Sequence, residues 1–210
     1  MNEFYHDGHR RWQDRFDTRR LADRLLERIV SDRIDDEDRA FIESRDMFFL
    51  ATVDADGLPQ CSYKGGDPGF VRVLDAQTIA FPNYDGNGMY LSMGNLQANA
   101  HVGMLFIDWE SPQRLRLNGV ARATESDPLL EAFTGAQFVV RVQVRHLFAN
   151  CGRYIHCMQL VERSKFVPRP HILTPVPDWK REPSSTTCCQ PTILRDRLSR
   201  ASFGSATPRS

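Results

Sequence analysis

The stretch Ser62-Tyr63-Lys64-Gly65-Gly66-Asp67-Pro68-Gly69-Phe70-Val71-Arg72 places two cations and three glycines where strand patterning lapses. Glycine lets backbone N–H groups approach a ligand closely, and Lys64 with Arg72 would suit a phosphate. A wide loop with solvated charges accounts for the same residues equally well. A second candidate is Asn83-Tyr84-Asp85-Gly86-Asn87-Gly88-Met89, which ends a strand and opens a helix. Helix N-termini offer unpaired N–H donors and a partial positive charge, so an anion can bind there. Simple capping by Asp85 or Asn87 and a tight turn at Gly86 and Gly88 is the alternative.

Two further groups carry reactive or charged side chains. In Gln113-Arg114-Leu115-Arg116-Leu117-Asn118-Gly119, strand alternation puts Arg114 and Arg116 on one face and Leu115 and Leu117 on the other. Two arginines on one face can hold an anion or a planar, electron-rich ring, or can form a solvated outer face. Cys151-Gly152-Arg153-Tyr154-Ile155-His156 gathers a thiol, a guanidinium, a phenol and an imidazole, with no carboxylate partner assignable to the histidine. No catalytic residue follows from these patterns. No metal site follows either: Cys61, Cys151, Cys157, Cys188 and Cys189 are odd in number and form no Cys-x-x-Cys pair, which points to reduced thiols, some of them buried.

The elements that must position these groups read as a helical lead followed by strands. Leu21, Leu25, Ile29 and Ala22, Leu26, Val30 recur at helical spacing over Asp17–Ser31, and Asp35 with Asp38 caps a second short helix to Arg45. Both helices are expected to pack outside the sheet. Met47–Val53, the Asp54-Ala55-Asp56-Gly57 turn and Leu58–Tyr63 form a hairpin. Further strands are expected over Phe70–Leu74, Thr78–Phe81, Val102–Ile107, Leu115–Thr124, Gln137–Leu147 and Tyr154–Val161. Short helices interrupt them at Met89–Ala98 and, behind Asp127-Pro128, at Leu129–Phe133. About seven strands with short turns favour a mainly β barrel or sandwich. The expected division is a helical segment over 1–45, a barrel domain over 46–180, and a disordered tail over 181–210, where Ser, Thr, Arg and Pro leave few apolar anchors.

Lys plus Arg and Asp plus Glu are equal at 27 each, so no net field favours nucleic acid or an anionic membrane. The polar lead and the lack of a membrane-length apolar run lead to the expectation of a cytoplasmic protein.

The order of the segments adds a resemblance. Phe48-Phe49-Leu50-Ala51-Thr52-Val53-Asp54-Ala55-Asp56-Gly57-Leu58-Pro59-Gln60 resembles the opening hairpin of the pyridoxamine 5′-phosphate oxidase-like flavoproteins. Gly66–Asp75, Asp85–Met89, Val102–Asp108 and Leu115–Gly119 resemble successive later segments of a bacterial branch, most closely over Met47–Thr124. The resemblance implies a Greek-key, FMN-binding split β-barrel of six to seven strands, acting as a homodimer with flavin sites at the subunit interface. It maps the FMN phosphate and ribityl chain onto Ser62, Tyr63, Lys64, Asn83, Asn87, Gly88 and Met89, with Arg72 assisting, and brings Arg114 and Arg116 toward the flavin region.

Two departures narrow that expectation. Asn87-Gly88-Met89 stands where authentic pyridoxamine phosphate oxidases carry Ser-Arg-Lys, and their C-terminal Trp- and Arg-rich motif has no counterpart around Trp179-Lys180-Arg181. The expected activity is therefore an FMN-dependent oxidoreductase of unassigned substrate, using a small-molecule or electron-transfer partner. The alternative is a flavin-, deazaflavin- or haem-binding module without turnover, for which His101, His146 and His156 are candidate haem ligands.

Overall fold

The protein is described by a computed structural model over residues 4–181. Three helices lead the chain: α1 (Asp7–Arg15), α2 (Arg19–Ile29) and α3 (Asp36–Ser44). Then come β1 (Met47–Val53), β2 (Pro59–Gly65), β3 (Arg72–Asp75), β4 (Thr78–Tyr84), α4 (Leu91–Ala98), β5 (His101–Asp108), β6 (Gln113–Thr124) and β7 (Ala136–Asn150). The strands form one antiparallel sheet in the order β2-β1-β5-β6-β7-β4-β3, curled as a split barrel.

Local chemistry explains where elements begin and turn. Asp35 accepts the Asp38 N–H at 2.8 Å and the Asp38 carboxylate accepts the Asp35 N–H, a reciprocal cap that starts α3. Between β1 and β2 the Asp54 carboxylate accepts the Asp56 and Leu58 N–H groups, and Gly57 takes φ +85°, which a side chain would resist. β6 and β7 are the longest pair, and their register shifts at Asn118/Gly119. A Cβ on Gly119 would lie 2.6 Å from the Gln143 carbonyl oxygen, so glycine is what lets the strands close at this bulge.

Inside the barrel Phe48 is fully buried and meets the rings of Phe70, Phe81 and Phe106 at 5.8, 5.0 and 5.3 Å. Each such phenyl group, taken out of water, contributes on the order of 2–3 kcal/mol. Ile42 of α3 joins this core, whereas α1 and α2 bury no residue; Leu21 on α2 is 56% exposed.

The structure corrects several expectations. α1 was not foreseen, because Trp12 is the one large apolar residue in Asp7–Arg15 and no stripe marks it. Tyr154–Val161 is not a strand; residues 151–177 form an extended arm without strand pairing beyond a bridge at Arg169 and Ile172. Its apolar residues mimic a strand, yet Val161 is 97% exposed. Phe70 and Val71 precede β3 as buried loop residues, and Leu129–Phe133 shrinks to a 3-10 turn over Leu130–Ala132. Cys61, Cys151 and Cys157 are free and exposed, so burial of thiols fails for the described residues. Apart from Arg181, the expected tail lies outside the described residues.

Candidate functional site

α4 is held against the barrel by polar bonds. The buried Asn95 amide donates to Thr52 Oγ1 of β1 at 3.1 Å, and Ser92 Oγ lies 3.0 Å from Ser62 Oγ of β2. This docking leaves a cavity of about 410 Å³ between β2, the end of β4, the Gly86-Asn87-Gly88 turn and the start of α4. Cavities of a few hundred Å³ are the ordinary size for cofactor sites.

The cavity brings together Ser62, Tyr63, Lys64, Asn83, Asn87, Gly88 and Met89. Lys64 is half-buried and makes no ion pair among the described residues. Burial draws its ammonium pKa down, because removal from water disfavours the charged form. The helix start opposite is also unsatisfied: Tyr90 occupies the N-cap at φ +49° and supplies no side-chain cap. Leu91, Ser92 and Met93, whose N–H groups form the open first turn, all line the cavity. Met89 N–H donates to Asn87 Oδ1 at 3.0 Å, which shapes the preceding turn. Asn83 donates to Gln137 Oε1 at 3.0 Å, and Tyr90 donates to the same oxygen at 3.0 Å, fixing that wall.

Two phenols border the opposite side. Burial, reinforced by Asp67, pushes Tyr84 up to about 12 despite the opposing charge of Arg72, and burial with Asp46 also raises Tyr63. Both remain neutral hydrogen-bonding groups at physiological pH. The arm and the 3-10 turn after it, Asp178–Arg181, reach this side as well: Arg169 grips Asp67 through two bonds of 2.6 and 2.9 Å, and Lys180 meets Asp85 at 2.8 Å.

Three expected residues are absent from the cavity. Arg72 donates to the Ala132 carbonyl at 3.0 Å and sits 4.6 Å from the Phe133 ring, so it braces the 3-10 turn and does not join Lys64 around one anion. Arg114, opposite Asn150, is half-buried with an unpartnered Nε, and exposed Arg116 lies over Phe148 at 5.4 Å; neither lines this cavity. Conversely, Tyr90, Ser92 and Met93 line it although no candidate stretch contained them. The signal for Ser92 lay in α4 itself, where Ser92 and Asn95 are three residues apart and both buried. Polar groups inside require partners.

Among the described residues the arrangement presents one cation without an ion pair, an uncapped helix start, hydroxyls and side-chain amides around one space. That donor set fits a phosphate carried on a polyhydroxyl chain. The fold is that of a split-barrel protein with a polar cavity between β2 and α4. The chain matches the family model described as pyridoxamine 5′-phosphate oxidase over residues 34–151, more than half its length, and belongs to that family. Among solved structures it is similar to HupZ of Group A Streptococcus, at 22% identity over 55% of this chain and 93% of that one, with a TM-score of 0.45. It is also similar to HutZ, the haem storage protein of Vibrio cholerae, at 24% identity over 55% of this chain and 94% of that one, with a TM-score of 0.40. A third is an FMN-binding protein of Syntrophomonas wolfei, at 13% identity over 67% and 96%, with a TM-score of 0.42. No curated protein matches the chain significantly. No helix among the described residues is long and apolar enough to cross a membrane.

Proposed function

We propose that the protein is an FMN-dependent oxidoreductase that holds the flavin phosphate in the cavity between β2 and α4 and works as a homodimer in the cytoplasm. The observation that carries this reading is Lys64: a half-buried ammonium with no counter-ion among the described residues, lining a space that an uncapped helix start also lines. Each of these features is costly without an anion and becomes favourable with one. Ser62, Asn83 and Asn87 would bind the phosphate and ribityl hydroxyls, while Gly88 keeps the turn open at φ +80°. Bound FMN would supply the hydride- or electron-transfer chemistry. The chain's own residues bind it, orient it and exclude water.

The test is the absorption spectrum of the purified full chain, mass identification of any released ligand, and titration with FMN and riboflavin. Tighter binding of FMN than riboflavin supports the reading, and a colourless protein that takes up neither overturns it. Sedimentation of the FMN-loaded protein checks the homodimer.

A second reading, a deazaflavin or haem carrier or FMN held without turnover, is favoured by the cation-free Asn87-Gly88-Met89 turn. For haem, none of His101, His146 and His156 lines the cavity. The same spectrum separates these ligands, since haem gives a Soret band and a deazaflavin absorbs below FMN.

A further inference from the structure

α1 and α2 bury no residue, yet the pair is fixed to β7 at both ends. Phe4 meets the rings of His146 and Phe148 edge-on at 5.0 and 5.5 Å, and Ser31 exchanges backbone bonds of 2.9 and 2.7 Å with Leu147. Between these anchors Tyr5 donates to the Ala22 carbonyl at 3.3 Å, and the ion pairs Arg10–Asp23 and Arg19–Asp14 tie the two helices together.

Those bonds decide which side of α2 stays open. Ala22, Leu26 and Val30 are half-buried, whereas Leu21, Leu25 and Ile29, spaced four residues apart, form an exposed stripe; Leu25 and Ile29 are each 40% exposed. Arg24 and Arg28, three and seven residues after Leu21, run along one edge of that stripe. Both are exposed and make no hydrogen bond or ion pair among the described residues. On α1, Trp12 and Phe16 are exposed as well, with parallel rings 6.0 Å apart and the Arg15 guanidinium over Trp12.

The occupant follows from charge and area. A second copy fits poorly: antiparallel pairing of two α2 helices would set Arg24 of each against Arg28 of the other. Three apolar side chains on a helix of 11 residues also fall far short of the roughly 800 Å² per partner of a stable interface. A bilayer requires no complementary protein surface. A charged helix with leucine, isoleucine and neighbouring aromatic rings on its open side and arginines at the edge suits the headgroup boundary of an anionic one.

We propose that α2, with α1 beside it, seats the protein on an anionic lipid surface, Leu21, Leu25 and Ile29 entering the headgroup boundary and Arg24 and Arg28 meeting lipid phosphates. This site is independent of the flavin reading.

Co-sedimentation of the full chain with vesicles of phosphatidylcholine alone, and of phosphatidylcholine and phosphatidylglycerol in equal parts, tests it. Binding to the anionic vesicles is expected to be at least about tenfold stronger than to the neutral ones, and to weaken as salt rises. Leu21→Gln/Leu25→Gln and Arg24→Gln/Arg28→Gln, all at exposed positions, should each lower it at least about tenfold. Arg122→Gln/Arg145→Gln, which removes the same charge from exposed positions on β6 and β7, should retain it. Absence of binding, equal binding to both vesicles, or binding that either α2 variant leaves intact overturns the proposal. So does a loss in the β6–β7 variant as large as that in Arg24→Gln/Arg28→Gln. A dimer in sedimentation velocity that Leu21→Gln/Leu25→Gln abolishes would assign the stripe to a second copy and overturn it too.

Discussion

Lys64 and Arg72 looked interchangeable as cations of one loop, and the structure gives them opposite duties. Lys64 lines a cavity and has no counter-ion among the described residues, whereas Arg72 is spent on the Ala132 carbonyl and the Phe133 ring. Lys64→Met is expected to weaken FMN by about 1.5–3 kcal/mol, the worth of a charge-assisted bond, and to leave riboflavin nearly unaffected. Arg72→Gln is expected to leave FMN affinity unchanged and to cost at most about 1 kcal/mol of stability in urea unfolding, since its bonds are exposed. The pH dependence of binding follows from the same lysine. Its free-state pKa lies below 10.5, and a phosphate beside it would raise that value, so binding takes up a proton. FMN affinity should therefore fall as alkaline pH passes through the depressed lysine pKa, and Lys64→Met should remove that slope in a titration series.

The elements show how far the sequence alone reaches. β1 was readable to the residue because Met47–Val53 is a continuous apolar run closed by an Asp-Gly turn. α3 was readable because its cap is written in Asp35 and Asp38. Of the candidate site, the β2 and pre-helix segments were legible as glycine- and cation-bearing loops. That Arg72 turns away depends on the 3-10 turn at Leu130–Ala132, about sixty residues further on, and no local pattern reports so distant a partner. The arm was misread for a related reason. Its apolar residues suit a strand, yet no free edge receives them, and its docking relies on ion pairs from Arg163 and Arg169 to Asp67. The β6–β7 bulge is equally non-local. Gly119→Ala would press a methyl group against the Gln143 carbonyl and Val142, and is expected to destabilise by about 1–3 kcal/mol with the strand signal in circular dichroism retained.

For the whole molecule, balanced charge removes any global field, so pH acts through a few embedded groups. Arg141 holds the Asp127 carboxyl below the usual range through its side-chain bonds, aided by the Leu129 N–H, and Asp127 is 4% exposed. Arg169 depresses Asp67 in the same way. A carboxyl with a lowered folded pKa binds fewer protons folded than unfolded, so its stabilisation is complete above the unfolded value near 3.8 and disappears as pH falls through the folded value. Tyr84 governs the opposite limit: its folded value of about 12 exceeds 10.0, so the folded state retains a proton that the unfolded chain loses. Stability should thus decline between about pH 10 and 12, opposed by Lys64, whose lowered value makes folding release a proton. Urea unfolding across pH is expected to show both limbs. Asp127→Asn should lower the plateau by about 2 kcal/mol, because Arg141 loses its counter-ion while remaining partly solvated, and should shallow the acid limb. Tyr84→Phe should remove most of the alkaline decline and leave the acid limb unchanged, which would separate the contribution of the phenol from that of the carboxyls.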